Sequence, residues 1–256
     1  SLESLVGLKK AGATGAARKA LEDGQTLQAG LAYLGEFGGA AELDLVKALG
    51  RTYRSIPVNI GVLRTFDRWQ VRGTADAAAL ASARAEMQGV GGLLLRWHVT
   101  GPLTPEEATR LMRQLADIGW RVPTGLANVV LAQGTDPVVV LPRMKVPAEK
   151  TVRVAWTELS VPDRRELEFL AAAGGRFRVA INGTEVYRRD GVRGVQPDND
   201  RFDATLVKGI NRLVAWVDWN RPSRLQVRFR EKTLAGVLET YAQRALRERG
   251  NAERGR

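Results

Sequence analysis

No cysteine occurs among the 256 residues of this chain. That excludes disulfides, thiolate zinc sites, cysteine nucleophiles and any haem attached through Cys-x-x-Cys-His within it. Histidine is nearly absent too. His98 stands alone, so a Ser/His/Asp triad or a His-based metal site would have to be built on it. It lies between Trp97 and Val99 with no partner motif nearby and reads as a structural strand residue. No apolar run approaches the ~18 residues of a membrane helix. No glycine-rich loop follows a strand and opens a helix, as a phosphate cradle requires. No pair of carboxylates is placed for glycoside hydrolysis. Glu166 and Glu168 alternate with Leu167 and Phe169 and read as the solvated face of a strand. The chain by itself is therefore expected not to be an enzyme.

Acidic residues are also in deficit: 28 against 39 basic ones, a formal charge of +11. Such an excess suits an anionic partner. Yet the 31 arginines are spread over the whole length. Aromatic residues are not interleaved with clustered basics, as a nucleic-acid stacking platform needs. Nucleic acid is not the expected partner, and a basic module for some other anionic polymer stands as an alternative.

What is present falls into two patterns. The first ninety residues carry short amphipathic helices punctuated by glycine. Leu2, Leu5 and Val6 mark one, ended by Gly12 and Gly15. Leu27, Leu31 and Leu34 mark the next, and Leu43, Val46 and Leu49 a third, ending at Gly50. Ile60, Leu63 and Phe66 follow Pro57, and the alanine-rich run Ala75 to Met87 closes at Gly89. Close spacing of this kind predicts an α-solenoid, with a plain helical bundle as the alternative. From Leu93 the period changes to that of strands. Thr104 and Glu107 form a capping box for an inserted helix near 104–118. Asn182-Gly183 joins two strand-like runs as a hairpin turn, and Gly209 and Asn211 mark another. Arg212 to Trp219 is apolar on both faces except at its ends, as a strand covered on both sides would be. Leu225, Val227 and Phe229 alternate with Gln226, Arg228 and Arg230. The expectation is an antiparallel β-sandwich or jelly roll. Leu234, Val237, Leu238, Tyr241 and Leu246 then predict a C-terminal helix.

The turn and strand-edge residues carry a resemblance. Asn182-Gly183, then Pro197-Asp198-Asn199-Asp200, then Leu206 to Val214 resemble the galactose-binding-like sandwich of large multidomain proteins in planctomycete-type bacteria. Trp97 to Leu103 matches the segment that opens that sandwich. The resemblance spans roughly Leu93 to Arg230. Leu31 to Gly39 looks like the end of the first helix of a HEAT-type repeat. Arg249 to Arg256 looks like the lead-in to a cytochrome c domain. The resemblance implies an α+β multidomain chain: a HEAT-like helical region at 1–90, a sandwich at 91–231, and a helix and linker at 232–256. It also implies a periplasmic or extracellular setting. This chain would hold no cofactor of its own, and haem c is expected in a following domain. Ser1-Leu2-Glu3-Ser4 has no signal pattern, so a fragment or processed product is expected.

Two candidate sites follow. Sandwiches of this kind often hold calcium, and Asp198, Asn199, Asp200 and Asp203 offer oxygen ligands in one short loop. Pro-Asp-Asn-Asp is equally an ordinary turn, and the spacing is not that of an EF-hand. For a carbohydrate or a partner protein domain, Trp219 at a strand end is the best platform. Tyr187 would add aromatic surface, and Arg188, Asp190 and Asn220 would add hydrogen bonds. Trp97 and Trp216 are expected in the core. A structural spacer with no ligand is the competing expectation.

Overall fold

The computed structural model describes residues 1–7, 11–53, 55–121, 129–134, 138–141, 151–218, 224–232 and 238. Among these the chain is α+β, with helices first and antiparallel sheets after. The predicted helix at 234–246 lies outside the described residues, apart from Leu238.

Helices α1 (Leu2–Gly7), α2 (Thr14–Ala20), α3 (Leu27–Phe37), α4 (Leu43–Thr52), α5 (Ile56–Arg72) and α6 (Ala77–Gly91) surround one apolar core. Leu31, Leu34, Val62, Leu63, Phe66 and Trp69 fill it, none more than 1% exposed. Each recurs at helical spacing, so one stripe per helix is buried. The Trp69 indole N–H donates to the Leu34 carbonyl at 2.7 Å. Two glycines act otherwise than the sequence suggests. Gly15 lies inside α2 instead of ending a helix. Gly89 lies inside α6, which runs to Gly91 and is capped by Gly92 at φ 62°. A Cβ on Gly89 would sit 1.8 Å from the Ser160 carbonyl oxygen. That residue lets the helix lie against a strand; it does not stop it.

The sandwich has a six-stranded sheet ordered β2-β1-β4-β9-β6-β7 and a four-stranded sheet ordered β3-β10-β5-β8. The strands are β1 (Arg96–Thr100), β2 (Val129–Gln133), β3 (Val139–Val140), β4 (Val152–Val161), β5 (Arg165–Ala173), β6 (Phe177–Ile181), β7 (Thr184–Arg189), β8 (Asp200–Leu206), β9 (Gly209–Asp218) and β10 (Arg224–Glu231). Trp97, Phe169, Phe177, Leu213, Val217 and Val227 meet between the sheets. The β6–β7 hairpin turns on Asn182 (φ 49°) and Gly183 (φ 88°), as Asn-Gly predicts. Asn182 Nδ2 donates to Asn211 Oδ1 at 2.9 Å, and Asn211 Nδ2 donates to Val207 O at 2.8 Å. The two turns are thereby tied together.

Helix α7 (Pro105–Asp117) covers the outer face of the larger sheet. Its capping box is formed as predicted: Glu107 N–H donates to Thr104 Oγ1, and Thr104 N–H to Glu107 Oε2. Ala108, Leu111 and Leu115 pack on Val152, Val154, Trp156 and Val214. This second cover is why β9 is apolar on both faces.

Two expectations are corrected. Trp216 is not between the sheets. It is half-buried on the outer face beside α7, because Leu213, Ala215 and Val217 take the inward positions. Glu168 is not solvated. It is 6% exposed and accepts from Arg230 at 2.6 Å. Around 89–92 the helical region is tied to the sandwich. Gln88 Nε2 donates to Thr157 Oγ1 at 2.8 Å and to Glu158 O at 2.6 Å. Leu94 enters the inter-sheet core while Leu95 enters the helical one.

Candidate functional site

The outer face of the larger sheet is open beyond α7. Cross-strand register places Trp216 of β9, Arg178 of β6 and Arg188 of β7 in one row. The adjacent row is Val214, Ala180 and Glu185. Of these, all but Arg188 line a groove of about 210 Å³ together with Val179 and with Ala108, Thr109 and Met112 of α7.

Helix α7 sets the width of this groove. After α7 the chain turns through Gly119 (φ 66°) and Trp120 (φ 62°). Trp120 N–H donates to Leu115 O at 2.6 Å. The Trp120 indole then rests on the hairpin turn, with Nε1 2.5 Å from where a Gly183 Cβ would stand. Any side chain at Gly183 would push the helix end and hairpin apart.

The charged groups of the groove differ in how fully they are engaged. Arg188 Nε lies 2.9 Å from Glu185 Oε1, and both side chains are about half exposed. Asp190 Oδ1 approaches Arg178 Nη2 only to 3.7 Å. The Arg178 guanidinium carbon lies 3.9 Å from the Trp216 ring centroid, a cation–π contact. Its Nε is buried without a hydrogen-bond acceptor.

Of the predicted binding residues, Arg188 and Asp190 do not line the groove, but each faces a residue that does, Glu185 and Arg178 respectively. Tyr187 does neither. Simple alternation would put Tyr187 on the same face as Glu185, outward. A register shift at Val179/Ala180 sets Tyr187 opposite Val179 instead, and a bulge of this kind re-aims side chains. Its ring stacks on Phe202 at 5.0 Å, and its hydroxyl donates to Asp200. Burial, then that bond, pushes the phenol up to about 12. Trp219 and Asn220 lie outside the described residues. Arg178 was not among the sequence candidates; its signal was register opposite Trp216, which no linear motif carries.

The four residues proposed for calcium are not brought together. Asp200 and Asp203 are an odd number of positions apart on β8 and point to opposite faces. Asp200, 1% exposed, accepts from Tyr187, Arg189 and Arg193. Asp198 accepts from Arg228 Nε at 2.7 Å and Gln226 Nε2 at 2.9 Å. The Arg228 hydrogen bond holds its carboxyl below the ordinary range. Asp203 faces Lys232 at 3.0 Å, and Asn199 Nδ2 donates to Gln196 Oε1. Among the described residues no group of three or more His, Asp or Glu side chains is placed to hold a metal ion.

His98 is half-buried and stacks on Trp156 at 6.0 Å. Burial, then the nearby Arg96 and Arg84, lower its pKa to about 4. It is neutral at neutral pH and does not reach the groove lining.

No protein-family model matches the chain, and no curated protein matches it. Solved structures overlap parts of it. An alpha-xylosidase from Xanthomonas citri overlaps 36% of this chain and 11% of its own length, at 19% identity and a TM-score of 0.28. A beta-glucosidase from Kluyveromyces marxianus overlaps 59% and 17%, at 10% identity and a TM-score of 0.35. A beta-glucuronidase from Ruminococcus gnavus overlaps 48% and 20%, at 19% identity and a TM-score of 0.32. The chain thus spans a fifth or less of the length of these enzymes. At such scores the functional reading rests on the chain's own residues.

Proposed function

We propose that this chain is a non-catalytic binding region whose β-sandwich takes a saccharide in the groove beside Trp216. One observation carries the reading: an apolar floor of Trp216, Met112, Ala180 and Val214 is edged by Arg178 and Glu185, which Asp190 and Arg188 face from outside the lining. Ligand pockets combine such an apolar lining with a few polar groups that fix orientation. A sugar ring presents both surfaces at once, with C–H groups on one face and hydroxyls around its edge. Arginine and carboxylate forks suit paired hydroxyls, and an indole suits the C–H face. The non-catalytic part has its own support. Glu185 and Asp190 face arginines, and the single histidine is half-buried and outside the groove lining.

The test is a glycan array probed with the full chain and with Thr109→Trp, a substitution on the exposed side of α7 that fills the groove. Binding by the parent and loss in the variant is expected. A blank array for the parent overturns the reading.

A wider context belongs to the same proposal and rests on the resemblance of sequence. The helical region would be HEAT-like, the sandwich a galactose-binding-like jelly roll, and the parent a periplasmic or extracellular c-type cytochrome. Electron transfer would then belong to a haem domain that this region positions. This chain should show no Soret absorbance under any maturation condition. A gene read past Arg256 should show Cys-x-x-Cys-His within a few dozen residues; a stop codon or an unrelated domain there ends the idea.

A further inference from the structure

We infer that the groove selects saccharides bearing a carboxylate, a uronic acid in the simplest case. This rests on the saccharide reading above and names the ligand class for the same site.

Ligand choice follows from which polar group has unused bonding capacity. Glu185 and Arg188 satisfy each other. Asp190 is 65% exposed and stands 3.7 Å from Arg178, too far for a hydrogen bond. Arg178 is different. It is 30% exposed, fixed over Trp216, and its buried Nε has no acceptor. Among the described residues nothing accepts a hydrogen bond from this guanidinium. A guanidinium that is immobilised by stacking, with its two terminal nitrogens still without a hydrogen-bond acceptor among the described residues, has already lost the freedom that binding would otherwise cost.

Its chemistry then chooses the ligand. Planar N–H forks match carboxylates bidentately, and such charged pairs are about twice as strong as neutral hydrogen bonds. A hydroxymethyl group at the same place fills one arm of the fork at most. Arg188, next in the cross-strand row, neutralises Glu185, the carboxylate in the groove lining, and so lowers its repulsion of an acidic ligand. The volume of about 210 Å³ equals the liquid share of about seven waters, the scale of one sugar ring. The acidic residue would thus be a chain end or a branch, not the middle of a buried polymer.

The experiment titrates the full chain with sodium D-glucuronate, D-glucose and sodium acetate by calorimetry. The two sugars differ at C6, and acetate carries the charge without the ring. Glucuronate is expected to bind at least tenfold tighter than either comparison. Arg178→Gln should bring glucuronate down to the level of glucose, with the melting temperature checked alongside. Should that variant fail to fold, Arg178→Lys keeps the charge but loses the fork, and should lose most of the preference. Equal binding of glucose and glucuronate overturns the acidic-sugar inference and leaves the saccharide reading standing. Acetate binding as tightly as glucuronate overturns it too, since the groove would then read a bare anion. Silence toward both sugars, with a blank array, removes both.

Discussion

A single extra residue in β7 decides which side chains reach the groove and which reach the core. It turns Tyr187 inward onto Phe202 and leaves Arg188 outward beside Arg178. Position then sets energy. Trp97 is fully buried and Trp216 is not. Trp97→Ala should cost ~3–5 kcal/mol, the range for a buried aromatic, and Trp216→Ala distinctly less; equal losses in urea unfolding would put Trp216 back in the core. Asp200 balances Arg189, whose side chain is 11% exposed. Asp200→Asn strands that charge and should cost ~3–5 kcal/mol, measured the same way. His98 supplies a pH effect with a definite sign. Its folded pKa is about 4 against the ordinary 6.5, so between these values the unfolded chain takes up a proton that the fold refuses. Stability should fall as pH drops from about 6.5 to about 4 and be insensitive to this group below that. His98→Asn should flatten the difference between midpoints at pH 7 and pH 5. Asp198, held low by Arg228, contributes above the ordinary carboxylate range and is lost only as pH falls below it, so the two windows separate.

At the scale of elements, the contact between α6 and β4 is set by Gly89. Two effects oppose each other there. Alanine is a better helix former than glycine by ~0.5–1 kcal/mol. Its methyl, however, would lie 1.8 Å from the backbone oxygen of Ser160, and backbone yields less readily than a flexible side chain. Overpacking costs ~1–3 kcal/mol or more, so the clash wins. Gly89→Ala should lower thermal stability, whereas a gain would show that α6 can lift from the sheet freely. Helix α7 depends on a different device. Its capping box holds the end nearest Leu103, whose N–H donates to Val152 O at 2.7 Å, and Trp120 holds the other end on the hairpin. The helix both shields β9 and forms one wall of the groove.

Over the whole molecule, two apolar cores are pinned by adjacent residues, Leu94 in one and Leu95 in the other. Gly92 O also accepts from Phe229 N–H at 2.8 Å, so the chain leaves α6 already paired to β10. Between the cores, Arg84 and Arg96 both approach Asp67, at 3.0 and 2.9 Å. Burial is the main reason that the Arg84 pKa is lowered to about 10. Such a junction transmits unfolding from one part to the other. Helical circular dichroism and tryptophan fluorescence should therefore give one urea midpoint. Two midpoints would restore the pair of separable units that the change of period near 89–92 suggests.

Local chemistry made much of this legible from sequence. Asn-Gly can satisfy its turn only with both residues at positive φ. The Thr104/Glu107 box caps its helix through groups three residues apart. The strand alternation at 225–229 and the double-sided apolar run at 212–218 report burial directly, because side chains follow the backbone period. Tertiary structure decided the rest. The bulge that turns Tyr187 inward arises from pairing with β6, a strand whose register no property of 184–189 reveals. Gly89 looks like a helix stop until Ser160, seventy-one residues later in sequence, takes the space where its Cβ would be. The acidic run at 198–203 looks like one ligand set, but Arg189, Arg193, Arg228 and Lys232 arrive from other elements and divide it. The groove itself exists only where α7, β6, β7 and β9 meet, and the fold sets Arg178 over Trp216 there with no hydrogen-bond acceptor among the described residues.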